Sequence, residues 1–556
     1  MGYFTRLLSV ELSERLRHAF SPAIGALFLF LCALSGSNYA TEAATAKRYI
    51  VAAAHPLAVD AGVEVLAKGG SAVDAAVAVQ LVLGLVEPES SGIGGGAFLL
   101  HWSEKDKKLR TYDGRETAPA AARRDRFVKG GKPLPFLEAA VGGRSVGVPG
   151  VIAMLELAHA WHGRLAWREL FTPAIRIAES GFDVSNRLHG VLERERALHE
   201  DAEARVLYYP DGRVATRVVN RAYADTLKRL AREGASAMRR GEIAEAVVHA
   251  AAARGGDLTL EDMASYRAVV REPVCAPYRR YRVCSMGPPS AGGVAVLQIL
   301  GLLERKGFDR TPARSAAALH LFAEAGRLAY ADRARYGADP DFVPVPVKAL
   351  LSPGYLEKRA ELIGERAMRL APPGDTEASG TSHFSIADAD GNVVSMTTTI
   401  ESSFGSRVMA RGFHLNNELT DFDFTPGGAN QVAPGKRPRS SMAPVIVFDA
   451  DGRVRMALGS PGGPWIINYV AKTLVAALDW GLDAQAAIEA PNFGNRNGPT
   501  VLEEDVTPAG LVEALKARGH ETQLAPLTSG VHAIERVPGG WRGAADPRRE
   551  GVALGR

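Results

Sequence analysis

Apolar and polar positions change their period several times along the chain. "RYIVAAA", residues 48–54, is an apolar run of strand length. "HPLAVDAGVEVLAKGGSAVDAAVAVQLVLGLVEP" then carries apolar residues at helical spacing and breaks at Gly69-Gly70, which predicts two helices. "SSGIGGGAFLLHW" predicts a glycine-rich turn that enters a strand. Residues 150–335 read mostly as helix, with Pro149 standing where a helix can begin. In that stretch "SAAALHLFAEAGRLAYADRARYG" has a spacing that assigns its Tyr and Arg residues to packing and surface. Residues 383–480 turn to strands, "HFSIAD", "VVSMTTT", "APVIVFD" and "RVRMALG", with helices expected from Trp465 and from Ala484. Strands and helices mix throughout, without repeats or a clean linker. This predicts one large layered α/β unit, not the three or four domains that 556 residues would otherwise suggest.

Composition narrows the class. Hydrophobic residues make up 46% and charged residues 23%, as in ordinary globular proteins. The net charge of +4 is small and evenly spread, and no basic run carries interleaved aromatics, so nucleic acid is not an expected partner. The N-terminus differs. Arg6, Arg15 and Arg17 precede the apolar stretch "AIGALFLFLCAL", Ala23 to Leu34. It is shorter than the roughly 20 residues a membrane span needs, and small residues follow it. It reads as a signal peptide cleaved after Ala40 or Ala46, the other reading being an uncleaved anchor. The "LFL" before Cys32 fits a lipoprotein cleavage site poorly. An exported protein, periplasmic or extracellular, is expected.

Candidate chemistry centres on "SGTSHFSIADADGNVVSMTTTIESSFG", residues 379–405. "DADGN" between two alternating segments is a strong hairpin signal. With the turn near Asp390, residue numbers across the hairpin sum to about 780, so Thr381 lies opposite Thr399. One reading is that threonine suits strands. The other is chemical. A threonine hydroxyl needs a base to act as a nucleophile, and one solution is the threonine's own α-amino group, freed by cleavage of the preceding peptide bond. Such an amine titrates at about 7.7–8.0, near working pH. By contrast, Gly92, Gly94, Gly95 and Gly96 precede a strand; a nucleotide loop would follow one and open a helix, so close backbone packing is the expectation. No "HExxH" or paired "CxxC" is present, and no metal or cofactor is expected.

A second hairpin is read in "REPVCAPYRRYRVCSMG". Residue numbers across it sum to 559, which sets Cys275 directly opposite Cys284, close enough for a disulfide in an oxidising compartment. Arg279-Arg280 is poor chemistry for a two-residue primed turn, and a one-residue slip would put the thiols on opposite faces. The alternative is two buried reduced cysteines.

"TSHFSIADADGNVVSMTTTIESSFG", "LNNELTDFDFTPGG", "KRPRSSMAPVIV" and "GSPGG" resemble the γ-glutamyltransferase (glutathione hydrolase) family in order and spacing. "GGSAVDAAVAVQLVLGLVEP", "YDGRETAPA", "DLTLEDMASYRAV" and "GPPSAGG" extend the resemblance over nearly the whole chain from about residue 48. The resemblance implies an N-terminal-nucleophile hydrolase with a four-layer αββα sandwich. It implies a precursor that cuts itself between Gly380 and Thr381, giving a leader and tail over residues 1–46, a large subunit over 47–380 and a small subunit over 381–556.

The same resemblance implies roles. Thr381 is the nucleophile and Thr399 orients it. The backbone N–H groups of Gly462 and Gly463 form the oxyanion hole. Arg115 with Ser440 and Ser441 takes the α-carboxylate of a γ-glutamyl donor, and Glu401, Glu418 and Asp421 surround its α-ammonium. The acyl group passes to water, an amino acid or a peptide. Between Asp421 and "KRPRSS" stands only "FDFTPGGANQVAPG", shorter than the lid loop of some members, which implies an open pocket. Two other readings remain: an acylase of the same fold acting on glutaryl-type cephalosporins, and an exported binding protein with a degenerate site. A glutaryl group lacks the α-ammonium, so three acids argue against it as the best substrate.

Overall fold

The computed structural model describes residues 44–368 and 380–556. The signal peptide read from the sequence lies outside the described residues. Numbering only the elements used below, the first half of the chain contains β1 (Ala44–Ala46), β2 (Ile50–Ala53), α1 (Pro56–Ala67), α2 (Ala72–Val86), β3 (Gly96–Ser103), β4 (Lys108–Asp113) and α3 (Val151–His162). Then come β5 (Val269–Arg271), β6 (Val274–Tyr278), β7 (Tyr281–Ser285), α4 (Gly292–Arg305) and α5 (Ala316–Tyr336). The remainder contributes β8 (Gly380–Ala387), β9 (Val393–Glu401), β10 (Val445–Phe448), β11 (Val454–Gly459), α6 (Ile466–Leu478), α7 (Ala484–Glu489), β12 (His532–Val537), β13 (Gly540–Ala545) and β14 (Val552–Gly555).

Two seven-stranded sheets stack face to face. One runs β1-β13-β12-β11-β10-β7-β6, the other β14-β2-β8-β9-β3-β4-β5, with antiparallel neighbours throughout. Helices α1, α2 and α3 cover the second sheet; α4, α6 and α7 cover the first. This is the expected αββα sandwich. Each sheet interleaves strands from both sides of residue 380, so a break there would leave two chains locked together.

Helix α2 is apolar nearly all round because it is buried beneath the second sheet. Ser71 and Asp74 cap its start reciprocally. The Ala72 N–H donates to Asp388 (3.0 Å), the first residue of the "DADGN" turn, and Asp388 also accepts from the N–H groups of Asp390 and Asn392 (3.0 Å each). One carboxylate therefore closes the turn and ties the hairpin to the helix.

That hairpin, β8–β9, divides its side chains by the pleat. Phe384, Ile386, Val394 and Met396 enter the core with α2, whereas Ala387 and Val393 join the core between the sheets. Alternation puts Thr381, His383 and Ser385, with their partners Thr399, Thr397 and Ser395, on the inter-sheet face. These buried polar groups satisfy one another: His383 Nδ1 meets Thr397 Oγ1 at 2.8 Å and His383 Nε2 meets Ser385 Oγ at 3.1 Å, while Ser395 donates to the Leu458 carbonyl.

Cys275 and Cys284 are paired across β6–β7, with Cα atoms 4.1 Å apart, and a disulfide joins them. At the tip Arg279 adopts φ 54°, as a primed turn demands of its first residue. Its awkward conformation is held from outside: its N–H donates to Glu304 (2.8 Å) and its Nε to Asp479 (2.9 Å). Thiol titration of the denatured, unreduced protein lacking residues 1–43 is expected to find no free thiol. Two free thiols per chain would contradict the pairing. The loop is short, so reduction should cost only about 2 kcal/mol of stability.

Candidate active site

A register shift shapes the open end of the β8–β9 hairpin. Thr381 pairs with Thr399, but Gly380 pairs with Glu401, leaving Ile400 as an extra residue. Such a bulge re-aims the side chains beside it. Glu401 takes φ 80°, uncommon for a residue with a side chain, and its N–H donates to Thr399 Oγ1 (2.8 Å). The Thr381 and Thr399 hydroxyl oxygens lie 3.4 Å apart, and both residues are buried. Behind them the glycine turn packs tightly. A Cβ on Gly95 would stand 2.1 Å from the Thr399 carbonyl oxygen, and one on Gly94 would stand 2.1 Å from that of His414. Only glycine allows this approach, so these glycines serve packing, as their order in the chain suggested.

Thr381, Thr399, Arg115, Glu401, Glu418, Asp421, Ser440, Ser441 and Gly463 line one pocket, together with Met442, Pro464 and Ile466. The structure thus gathers residues spread along the chain from Arg115 to Ile466. Gly462 and Gly463 adopt φ 124° and 52° at the entry to α6, a left-handed pair suited to glycine. Neither N–H donates to an acceptor among the described residues. Both stand at the positive end of a helix, where an oxyanion is favoured.

Arg115 is fully buried. Its Nη1 donates to Glu418, its Nη2 to Asp421 (2.5 Å) and to the Arg439 carbonyl (2.9 Å), and its Nε to the Pro438 carbonyl (3.2 Å). Burial opposes its charge, but Glu418, Asp421 and Glu116 hold it firmly protonated. The residue expected to take a carboxylate therefore already holds the acids expected to take the ammonium. Beside it, burial pushes Glu418 up to about 7, against the pull of Arg115 and with a further push from Asp421. Burial and the neighbouring Glu418 also hold Glu116 well above the carboxylate range. On the far side Asn417 Nδ2 donates to Glu401 (2.6 Å) and its Oδ1 accepts from Ser402 N–H (2.9 Å), which fixes the acid after the bulge.

Two side chains missed in the sequence matter here. Glu116 follows Arg115 and is completely buried, a context visible only once Arg115 is known to be internal. Arg333 corrects the assignment of helix α5's Tyr and Arg residues to packing and surface: its Nη2 donates to Ser441 Oγ at 2.6 Å. One turn earlier Tyr330 donates its hydroxyl to the Pro464 carbonyl. The segment after Asp421 folds away from the pocket: Phe424 stacks on Phe127 with ring centroids 4.6 Å apart, and none of residues 422–435 lines the pocket.

Comparison with known proteins places this arrangement in context. Residues 58–556 match the gamma-glutamyltranspeptidase family. The glutathione hydrolase proenzyme of Bacillus subtilis (strain 168) is 37% identical over 535 residues, covering 91% of each chain. The acylase ACY 1 proenzyme of Pseudomonas sp. (strain V22) is 36% identical over 527 residues, covering 92% of this chain and 94% of the acylase. Among solved structures, a cephalosporin acylase from Bacillus halodurans superposes with a TM-score of 0.85 at 30% identity, covering 94% of this chain and 98% of that one.

The buried charges generate a stability prediction. Removing Arg115 leaves Glu418, Asp421 and Glu116 without their cation, a loss of about 3–5 kcal/mol for a buried pair. Carboxyls whose pKa is already raised take up protons as pH falls, which relieves the repulsion. Arg115→Ala should therefore be much less resistant to urea at pH 8 than the parent, and the gap should narrow at pH 5. An equal gap at both values would contradict the ionic account.

Proposed function

The chain belongs to the gamma-glutamyltranspeptidase family of N-terminal-nucleophile hydrolases, enzymes made as proenzymes, and from that premise we propose that it is an exported γ-glutamyl hydrolase/transferase working through Thr381. The observation that carries the reading is the 3.4 Å approach of the Thr381 and Thr399 hydroxyls inside a pocket walled by acids, serines and the Gly463 turn.

In the precursor, Thr381 Oγ1 attacks the Gly380 carbonyl carbon. The C–N bond breaks, the nitrogen takes a proton, and an ester links the two halves until water hydrolyses it. The products are a chain ending at Gly380 and one beginning with a free amine at Thr381. The leader would be removed ahead of Ala44, because β1 pairs with Trp541–Gly543 and cleavage after Ala46 would delete that edge strand. In catalysis the new amine takes the Thr381 hydroxyl proton as the oxygen attacks the γ-carbonyl. Thr399 holds the hydroxyl, and the N–H groups of Gly462 and Gly463 receive the negative oxygen; one such donor is worth about 3–4 kcal/mol of barrier. The departing amine takes the proton. Water or the amine of an amino acid or peptide then attacks the γ-glutamyl ester, restoring Thr381. An uncovered pocket would admit γ-glutamyl compounds larger than glutathione as well as glutathione itself.

The donor's charges select it. Its α-ammonium suits Glu401, Glu418 and Asp421, and its α-carboxylate suits Ser440, Ser441 and one arm of Arg115. The acylase relatives support a second reading, a glutaryl amidase, whose substrate would leave the acids unmatched. The expected outcome is that γ-glutamyl-4-nitroanilide turns over with kcat/KM at least about a hundredfold above glutaryl-4-nitroanilide, as fits a buried charged partner worth several kcal/mol. Comparable values would sink the γ-glutamyl reading in favour of the acylase.

A further inference from the structure

The pocket is electrically lopsided. Around Arg115 stand Glu116, Glu418 and Asp421, with Glu401 across the bulge, so acids outnumber the cation. Around Ser441 the balance reverses. Arg333 donates to Ser441, and Arg439 and Arg496 lie near enough to Arg333 to oppose its charge, against a pull from Asp421. Of these arginines, Arg439 pairs with Asp423 (3.0 Å), whereas no carboxylate pairs with Arg333 among the described residues. Arg333 Nε and Arg439 Nε and Nη1 are buried without an acceptor there. A buried guanidinium with an idle donor is costly unless an anion arrives.

Arg333 sits in the last turn of α5, three residues after Tyr330 and on the same helix face. Tyr330 is fixed at both ends of its hydroxyl, donating to the Pro464 carbonyl and accepting from Asn468 (3.1 Å). The helix is thereby clamped to the Gly463–Trp465 turn, and Arg333 is carried to Ser441. A serine hydroxyl has one hydrogen and two lone pairs. With a lone pair filled by Arg333, the Ser441 hydrogen is left to donate into the pocket.

We propose that Arg333 is a positioning residue for the donor's α-carboxylate, orienting the Ser441 hydroxyl toward it and placing positive charge behind that hydroxyl. The proposal rests on the γ-glutamyl reading of this pocket. Recognition then draws on two arginines: Arg115 organises the acids that meet the ammonium and keeps one arm for the carboxylate, and Arg333 organises the hydroxyl that meets the same carboxylate. Burial and the neighbouring Arg439 hold the Arg333 guanidinium below its usual range, at about 10, which still leaves it charged at pH 7 and short of a counter-ion.

The test compares two donors that differ only in the α-carboxylate, γ-glutamyl-4-nitroanilide and 4-aminobutyryl-4-nitroanilide, on the processed enzyme. In Arg333→Met the ratio of their kcat/KM values should fall at least about tenfold, chiefly through KM for the γ-glutamyl compound, as for loss of a charge-assisted hydrogen bond. Arg333→Lys should recover part of the ratio, and it serves alone if the Met variant does not fold. Adding Ser441→Ala to either variant should lower the ratio little further, because both act on one contact. A merely structural role would slow both donors alike and leave the ratio unchanged; that result, or no change with either donor, overturns the proposal. If the parent enzyme fails to turn over the γ-glutamyl anilide at all, the γ-glutamyl reading itself falls and this proposal with it.

Discussion

The register of one hairpin is the constraint on which the site depends. Side chains in a strand alternate between faces, so a one-residue slip of β8 against β9 would carry Thr381 from the inter-sheet face into the helix-covered core. Three features prevent the slip. Asp388 ties the turn to the start of α2, Phe384, Ile386, Val394 and Met396 are buried under that helix, and the polar pairs from Ser385–Ser395 to Thr381–Thr399 match only in this register. The bulge at Ile400 then adds a local irregularity that brings Glu401 to the pocket beside the threonine pair.

Everything else in the pocket is brought to that fixed point. Strand β4 ends at Asp113, whose carboxylate accepts from Arg115 N–H (2.8 Å) and turns the chain inward. Arg115 can be buried because it organises acids that would otherwise repel one another, and they in turn neutralise it. On the proposed reading stability and recognition share these groups: the arrangement holds a charged pocket ready, at the cost of a fold weakened by the loss of any one partner. The opposite wall, with Ser441 backed by Arg333, lacks that balance, and on the proposed reading a substrate anion would complete it.

Much of this was legible in the chain. Arithmetic across a turn set Thr381 opposite Thr399 and Cys275 opposite Cys284, because strand pairing is a local rule with integer register. The order of glycine turn and strand pointed to backbone packing. Arg115, Glu418 and Asp421 were legible as site residues only through resemblance, since nothing in a local pattern tells a buried arginine from a surface one. That Arg115 would pair with both acids was not legible: it depends on contacts across about 300 positions. Arg333 was misread for a related reason. Its helix spacing is ordinary, and its contact with Ser441 depends on packing across 108 positions.

The central claim is that the hairpin presents Thr381 as a nucleophile which first cuts its own chain. Intact mass and N-terminal sequencing of the purified protein, alongside Thr381→Ala, test it most directly. The account predicts two tightly associated chains, the smaller beginning at Thr381, and a Thr381→Ala variant that stays as one chain. A small chain with a different N-terminus, or a variant that still breaks between residues 380 and 381, would contradict it.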